Sequence, residues 1–177
     1  MKTIYIIGGT MGVGKTTVCQ KLKKMLDNSV FLDGDWCWDA DPFVVTDETK
    51  AMVMDNIHHA LNNFIKCSAY QNIIFCWVMH MQSIIDDVIN GLEKDNCRIV
   101  SVSLMSAEET IRDRLGKDII NGIRTEDVLE RSVARIPLYE LLNSTKIYTD
   151  DKTVVEIAIE IMNIYRKASA IMLELFM

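Results

Sequence analysis

The residues best suited to chemistry stand near the amino-terminus. Gly9-Thr10-Met11-Gly12-Val13-Gly14-Lys15-Thr16 fits the spacing G-x-x-x-x-G-K-[ST]. Glycines in such a turn let the backbone take positive φ and approach phosphate oxygens with no Cβ in the way. Successive N–H groups, running on to Thr17, form a nest for a β-phosphate, and the helix that follows adds its positive end. Lys15 is placed to reach the β- and γ-phosphates, and the Thr16 hydroxyl to ligate Mg²⁺. The pattern predicts a bound nucleoside triphosphate, read as ATP with GTP left open. It is silent about where the γ-phosphate goes.

Carboxylates come next. Phe31-Leu32-Asp33-Gly34-Asp35-Trp36 follows a short apolar run. A carboxylate there can orient and deprotonate an attacking hydroxyl, or hold Mg²⁺ through water. The plainer alternative is an Asp-Gly-Asp turn whose side chains satisfy local backbone donors. Asp35, just past the turn, is the expected acceptor-facing group, and Asp33 the expected metal-side group; which of the two is the base stays open. Ile73–Val78 ends without an Asp, so a metal-holding carboxylate is missing from its usual place and the weight falls on Asp33 and Asp35. Trp36 and Trp38 offer an apolar wall or ordinary core aromatics. His80 and Gln82 are candidate acceptor contacts.

Five of the seven arginines lie in one stretch: Arg112, Arg114, Arg124, Arg131 and Arg135. Phosphoryl transfer spreads negative charge over the γ-oxygens, which forked guanidinium groups match. The alternative is a solvated helix with i,i+4 ion pairs to residues such as Asp113 and Glu130.

These residues need elements to hold them. Thr3–Ile7 is apolar without alternation, as a buried parallel strand would be. Val30–Leu32, Ile73–Val78, Arg98–Leu104 and Lys146–Thr149 are the other strand candidates. Lys15–Leu26 reads as a helix, Thr46–Ala69 as one bent helix or more, and Met81–Lys94 as a third. Residues 107–142 form a long polar stretch broken near Gly116 and Gly122. A last helix carries Val154, Ile157, Ala158, Ile161, Met162 and Tyr165 on one stripe. Pro42 and Pro137 are expected in loops or at helix boundaries. Strands alternating with helices predict a parallel α/β sheet with right-handed crossovers.

The 177 residues predict one domain, 1–177, and the 49% hydrophobic content a globular one. A formal charge of −6 argues against a general nucleic-acid binder. Cys19, Cys37, Cys67, Cys76 and Cys97 form no pair at metal or redox spacing, which predicts reduced thiols in a cytoplasmic protein. The amino-terminal apolar run is too short for a signal peptide. The uncharged stretch Cys67–Ile85 is too interrupted by polar residues to span a membrane. The apolar tail Ala170–Met177 reads as docking onto its own core or, more sharply, as a contact in a homodimer.

Taken together, the phosphate loop, Arg114-Leu115, Arg124-Thr125-Glu126-Asp127 and Arg135-Ile136 resemble the P-loop kinases of the nucleoside monophosphate kinase-like superfamily, near its small-molecule members such as shikimate and gluconate kinases. The Leu-Asp-Gly-Asp element is similar to that of adenylylsulfate kinases. The resemblance implies a three-layer α/β/α P-loop NTPase fold with a five-stranded parallel sheet and a helical lid, about 112–135. Residues about 33–82 would bind the acceptor. It further implies that Arg114 flanks the adenine, that Arg124 and Arg135 reach the transferring phosphate, and that Asp150 lies in the loop passing the adenine.

Two departures bear on the acceptor. Monophosphate kinases carry an Arg soon after the second strand and another after the third. Here Trp36-Cys37-Trp38 and His80 stand instead, and Asp39–His80 contains no Arg and only Lys50 and Lys66. Residues 27–59 hold eight acids against one base, a balance of −7, so the acidity is local to the acceptor side. The expected activity is ATP-dependent transfer to a hydroxyl of a small, weakly charged molecule or nucleoside. A nucleoside monophosphate kinase and a nucleotide-dependent switch are the alternatives.

Overall fold

A computed structural model describes the backbone of residues 1–175 and the side chains of residues 1–164. The chain runs β1 (Lys2–Gly8), α1 (Lys15–Met25), β2 (Ser29–Asp33), a 3-10 turn (Gly34–Cys37), α2 (Asp47–Lys66), β3 (Asn72–Cys76), α3 (Gln82–Asn90), β4 (Cys97–Met105), α4 (Glu108–Ile120), α5 (Asp127–Glu140), β5 (Thr145–Tyr148) and α6 (Val154–Leu175). The five strands form one parallel sheet in the order β2-β3-β1-β4-β5. This is the expected five-stranded α/β architecture.

The sheet is covered on both faces, which explains why its strands read as apolar runs. Along β1, Ile4 and Ile6 face one layer while Tyr5 and Ile7 face the other. The first layer packs on Val53, Ile57 and Leu61 of α2 and on Ile85 and Val88 of α3. The second packs on Val18, Cys19 and Leu22 of α1 and on Ile157, Ala158 and Ile161 of α6. From β1 the chain turns first toward β2 and β3, later toward β4 and β5. The phosphate loop therefore opens at the carboxyl end of the central strand, where the winding reverses and a crevice forms.

Several boundaries differ from expectation. Residues 46–69 give one helix, opened by a capping box in which the Thr46 and Thr49 side chains and backbones bond reciprocally. The stretch 107–142 breaks once, between α4 and α5. Gly116 stays inside α4, whereas Gly122 takes φ 69° and ends it. There the Gly122 N–H donates to Ile119 O and the Ile123 N–H to Asp118 O, a Schellman closure that needs a left-handed residue at Gly122. Pro137 lies inside α5, not at its boundary. It removes one helical N–H three residues before the helix ends, where the Leu141 and Leu142 amides bond back to Leu138 and Tyr139. Tyr165 and the tail 170–177, with the docking or dimer role expected of it, lie outside the described side chains. Among the described residues no helix is long and apolar enough to cross a membrane.

Candidate active site

A cleft of about 560 Å³ opens over the phosphate loop. Its walls bring together Met11 to Val18 with Asp35, Arg114, Arg124 and Thr149. Most residues expected to bind triphosphate thus share one cavity, although they come from three separated stretches of sequence.

Gly14 caps α1, so Lys15, Thr16 and Thr17 form that helix's first turn and their N–H groups face the cleft end of its dipole. Lys15 Nζ donates to Thr10 O at 3.0 Å, curled within the loop it would close around a phosphate. Burial lowers the Lys15 pKa, against the opposing pull of Asp35 and Asp33. Thr16 Oγ1 donates to Asp33 Oδ2 at 2.7 Å, and the Asp35 N–H donates to Asp33 Oδ1 at 3.2 Å. Asp33, only 5% exposed, uses one oxygen to aim the Thr16 hydroxyl and the other to shape its own turn. The turn reading of the Asp-Gly-Asp element therefore describes Asp33 Oδ1, while Oδ2 lies against the Thr16 hydroxyl.

Asp35 is free of those duties and opens to the cleft. The protein packed about its carboxyl and the like charge of Asp33 raise its pKa, partly offset by Lys15, the Trp77 side chain and Arg124.

Helices α4 and α5 and the turn between them supply cations in two ways. Arg114 Nη1 donates to Val13 O at 3.2 Å, which fixes its guanidinium along the loop. Arg124 Nε pairs with Asp118 Oδ2 at 3.3 Å, and both line the cleft. Arg112 and Arg131 follow the plainer alternative. The first pairs with Glu108 and Glu130, the second with Asp127. Arg135 is half-buried and has no carboxylate partner among the described residues. It sits near His80, whose pKa is lowered by burial and then by the Arg135 charge. His80 is accordingly neutral at pH 7, with its Nδ1 buried and unpartnered.

Two expected contacts are otherwise engaged. Asp150 accepts from Ser106 Oγ and Thr110 Oγ1 through Oδ1 and from the Ala107 N–H through Oδ2. Both its oxygens are spent capping α4, and these bonds hold its pKa low despite partial burial. The Asp150 carboxylate thus serves as a cap, and its neighbour Thr149 lines the cleft. Gln82 donates to Asp86 Oδ1 and accepts from the Asn143 N–H, so its amide ties α3 to the end of α5.

Two residues not expected from sequence complete the site. Ser132, fully buried on α5, donates to Met11 O at 2.7 Å, and the Thr10 hydroxyl donates to Ser132 O at 2.8 Å. These bonds tie the lid helix to the phosphate loop. Ser132→Ala removes a part-buried hydrogen bond to Met11 O, worth about 1 kcal/mol. The expected outcome is a lower midpoint in urea and a higher KM for ATP. The other is Trp77. A Cβ on Gly34 would lie 2.5 Å from the Trp77 ring, so only glycine fits between the two aspartates. Gly34→Ala is expected to destabilise by about 1–3 kcal/mol through overpacking, and to displace Asp35. Denaturant melts and turnover measured on the same variant would check both effects.

The solved structures most similar in fold include a gluconokinase from Sinorhizobium meliloti 1021, with TM-score 0.68, 15% identity and coverage of 98% of this chain and 97% of that one. A shikimate kinase from Acinetobacter baumannii in complex with shikimate gives 0.61 and 20%, over 95% and 94% of the two chains. The tunicamycin resistance protein of Deinococcus radiodurans gives 0.63 and 14%, over 91% and 93%. These likenesses establish the P-loop α/β fold. No curated protein matches the chain in sequence. A family model for the AAA domain matches residues 6–134, which takes in the phosphate loop, both aspartates and most of the lid. With well over half its length matched, the chain belongs to the AAA domain family.

Proposed function

We propose that this protein is an ATP-dependent phosphotransferase that moves the γ-phosphate to a hydroxyl of a small molecule. The observation that carries this reading is the division of labour between two aspartates. Asp33 is committed to the Thr16 hydroxyl, while Asp35 lines the phosphate-loop cleft and its carboxyl is held only by the Trp77 side chain, not by the phosphate loop. A nucleotide-binding switch needs the first carboxylate but gives no work to the second.

The chemistry suits a hard cation. Thr16 donates its proton to Asp33 and so keeps its lone pairs turned away from that carboxylate, and all donors are oxygens. Among the described residues no group of three His, Cys, Asp or Glu gathers into a metal cage, which fits Mg²⁺ arriving on the nucleotide. Thr16 would hold Mg²⁺, and Asp33 would orient it. The metal supplies neutralisation of charge on the β- and γ-phosphate oxygens. Lys15 and the loop amides hold the triphosphate. Asp35 accepts the acceptor's hydroxyl proton as the oxygen bonds to the γ-phosphorus. The bond from that phosphorus to the bridging oxygen breaks, and ADP leaves with the electron pair. Arg124 and Arg135 match the charge on the transferring group, and Arg114 flanks the nucleotide. The free thiols fit a reducing, cytoplasmic setting.

The test is incubation with ATP, Mg²⁺ and an acceptor library, following ADP by coupled assay and products by ³¹P NMR. Acceptor-dependent ADP formation with a new phosphate ester is the expected result. Hydrolysis alone, unaffected by any acceptor and accompanied by a nucleotide-dependent change of oligomeric state, would instead select the switch.

A further inference from the structure

The segment that leaves Asp35 exposes apolar and aromatic surface. Trp36 is 58% exposed, Phe43 59% and Val45 56%, and Met52 on α2 and Met81 before α3 are exposed as well. Strands β2 and β3 are neighbours, so the turn after Asp33 and the loop after Cys76 emerge side by side at the same sheet edge. These side chains are held outward by the structure. Trp36 meets Phe31 edge-on at 5.3 Å, and Trp38 lies against Phe43 at 4.7 Å. Asn56 Nδ2 donates to Cys37 O and Thr49 Oγ1 to Val44 O, fastening the loop to α2. Trp36 directly follows Asp35, so its exposed ring offers apolar surface next to the carboxylate assigned as the base.

Apart from Arg135, which sits beside His80, the same region offers no cation without a carboxylate partner among the described residues. Its two basic side chains are Lys50 and Lys66. Lys50 pairs with Asp47 at 3.1 Å and Lys66 with Glu93 at 2.7 Å. Unless it reached Arg135, which the mechanism gives to the transferring phosphate, a carboxylate or phosphate on the acceptor would meet neither a guanidinium nor an unpaired ammonium there.

We infer that the acceptor carries its hydroxyl on an apolar, aromatic body and bears no carboxylate or phosphate, with Trp36 as the stacking residue that sets this preference. The inference rests on the phosphotransferase reading and names the substrate class of the same site. The acceptor oxygen attacks the γ-phosphorus, its proton passes to Asp35, and a neutral aromatic alcohol becomes its phosphate monoester as ATP becomes ADP.

The experiment compares two acceptor panels under ATP and Mg²⁺. One holds 4-nitrophenylethanol, 2-phenyl-1,3-propanediol and uridine; the other holds gluconate, shikimate and AMP. The neutral panel is expected to contain the acceptor with the highest kcat/KM, at least tenfold above any anionic one. Trp36→Ala is expected to raise the KM for that acceptor about tenfold, the scale of a lost aromatic contact, with kcat and the KM for ATP unchanged. Trp36→Phe should restore most of the loss. Preference for the anionic panel would overturn the inference and move acceptor recognition to Arg135, while the phosphotransferase reading would stand. A Trp36→Ala variant with unaltered acceptor KM would overturn the assignment of Trp36. Absence of phosphoryl transfer to either panel would overturn the phosphotransferase reading and this inference with it.

Discussion

Lys15→Ala is expected to lower kcat/KM for ATP by about 10²–10³-fold, the usual effect of removing one donor aimed at developing charge. Lys15 is the first residue of α1, and its Nζ already lies within the phosphate loop, 3.0 Å from Thr10 O. No second lysine lines the loop itself; Lys117 and Lys152 stand on other walls of the cleft. The variant should fold. Alanine is the best helix former, and the lysine's folded-state pKa is lowered, which means that folding disfavours its charged form. A lysine so depressed detracts from stability at neutral pH, so its removal is expected to leave stability equal or higher while activity collapses. Urea melts beside isothermal titration with ATP separate the two. Transfer that persisted at the normal rate in a variant unable to bind ATP would break the mechanism.

The phosphate loop was legible because its signal is local. Spacing alone places Gly9 to Thr16, and an apolar run on one side with helix formers on the other supplies the context. The strands were legible for a related reason: burial on both faces leaves an uninterrupted apolar record. What was not legible shares a different cause. Asp150 looked like a cleft residue because it follows the last strand, but three donors from α4 and the turn before it claim its oxygens. No pattern in the sequence says that Ser106, Ala107 and Thr110 converge on a residue forty positions away. Ser132 shows the same thing from the other side. A serine in a helix is ordinarily a weak signal, and its value here comes from a loop more than 120 residues earlier. Trp77 left one trace, an aromatic residue where the third strand ends, but its role needs Gly34 beneath it. Motifs encode what one stretch of chain does for a ligand. Caps, tethers and steric fits encode what distant stretches do for each other, and those become visible only when the sheet order is known.

Asp35→Asn is expected to lower kcat about 10²–10⁴-fold, the range for loss of a general base, with the KM for ATP changed only a few-fold. The side chain keeps its size, so the Gly34 turn and the Thr16–Asp33 bond should survive. The amide cannot take the acceptor's proton. The pH dependence sharpens this expectation, because the folded state raises the Asp35 pKa. A general base works only when deprotonated, so the acid limb of kcat/KM should fall at a pH above the ordinary carboxylate range near about 4. Stability should move in the opposite direction across that window. The folded state binds the proton more tightly than the unfolded chain does, so this group's contribution to stability grows as pH falls through the raised pKa. Asp127, Asp150 and Glu156 have lowered pKa values and pull stability the other way as pH falls, so Asp35's contribution is read as the difference between wild type and Asp35→Asn. In Asp35→Asn the acid limb and Asp35's share of the stability slope should vanish together, leaving a low rate without that limb and a fold more stable than wild type at neutral pH. If the variant kept the wild-type acid limb, another group would own that titration and Asp35 would not be the base. If ATP affinity fell more than turnover, Asp35 would face the nucleotide and not the acceptor.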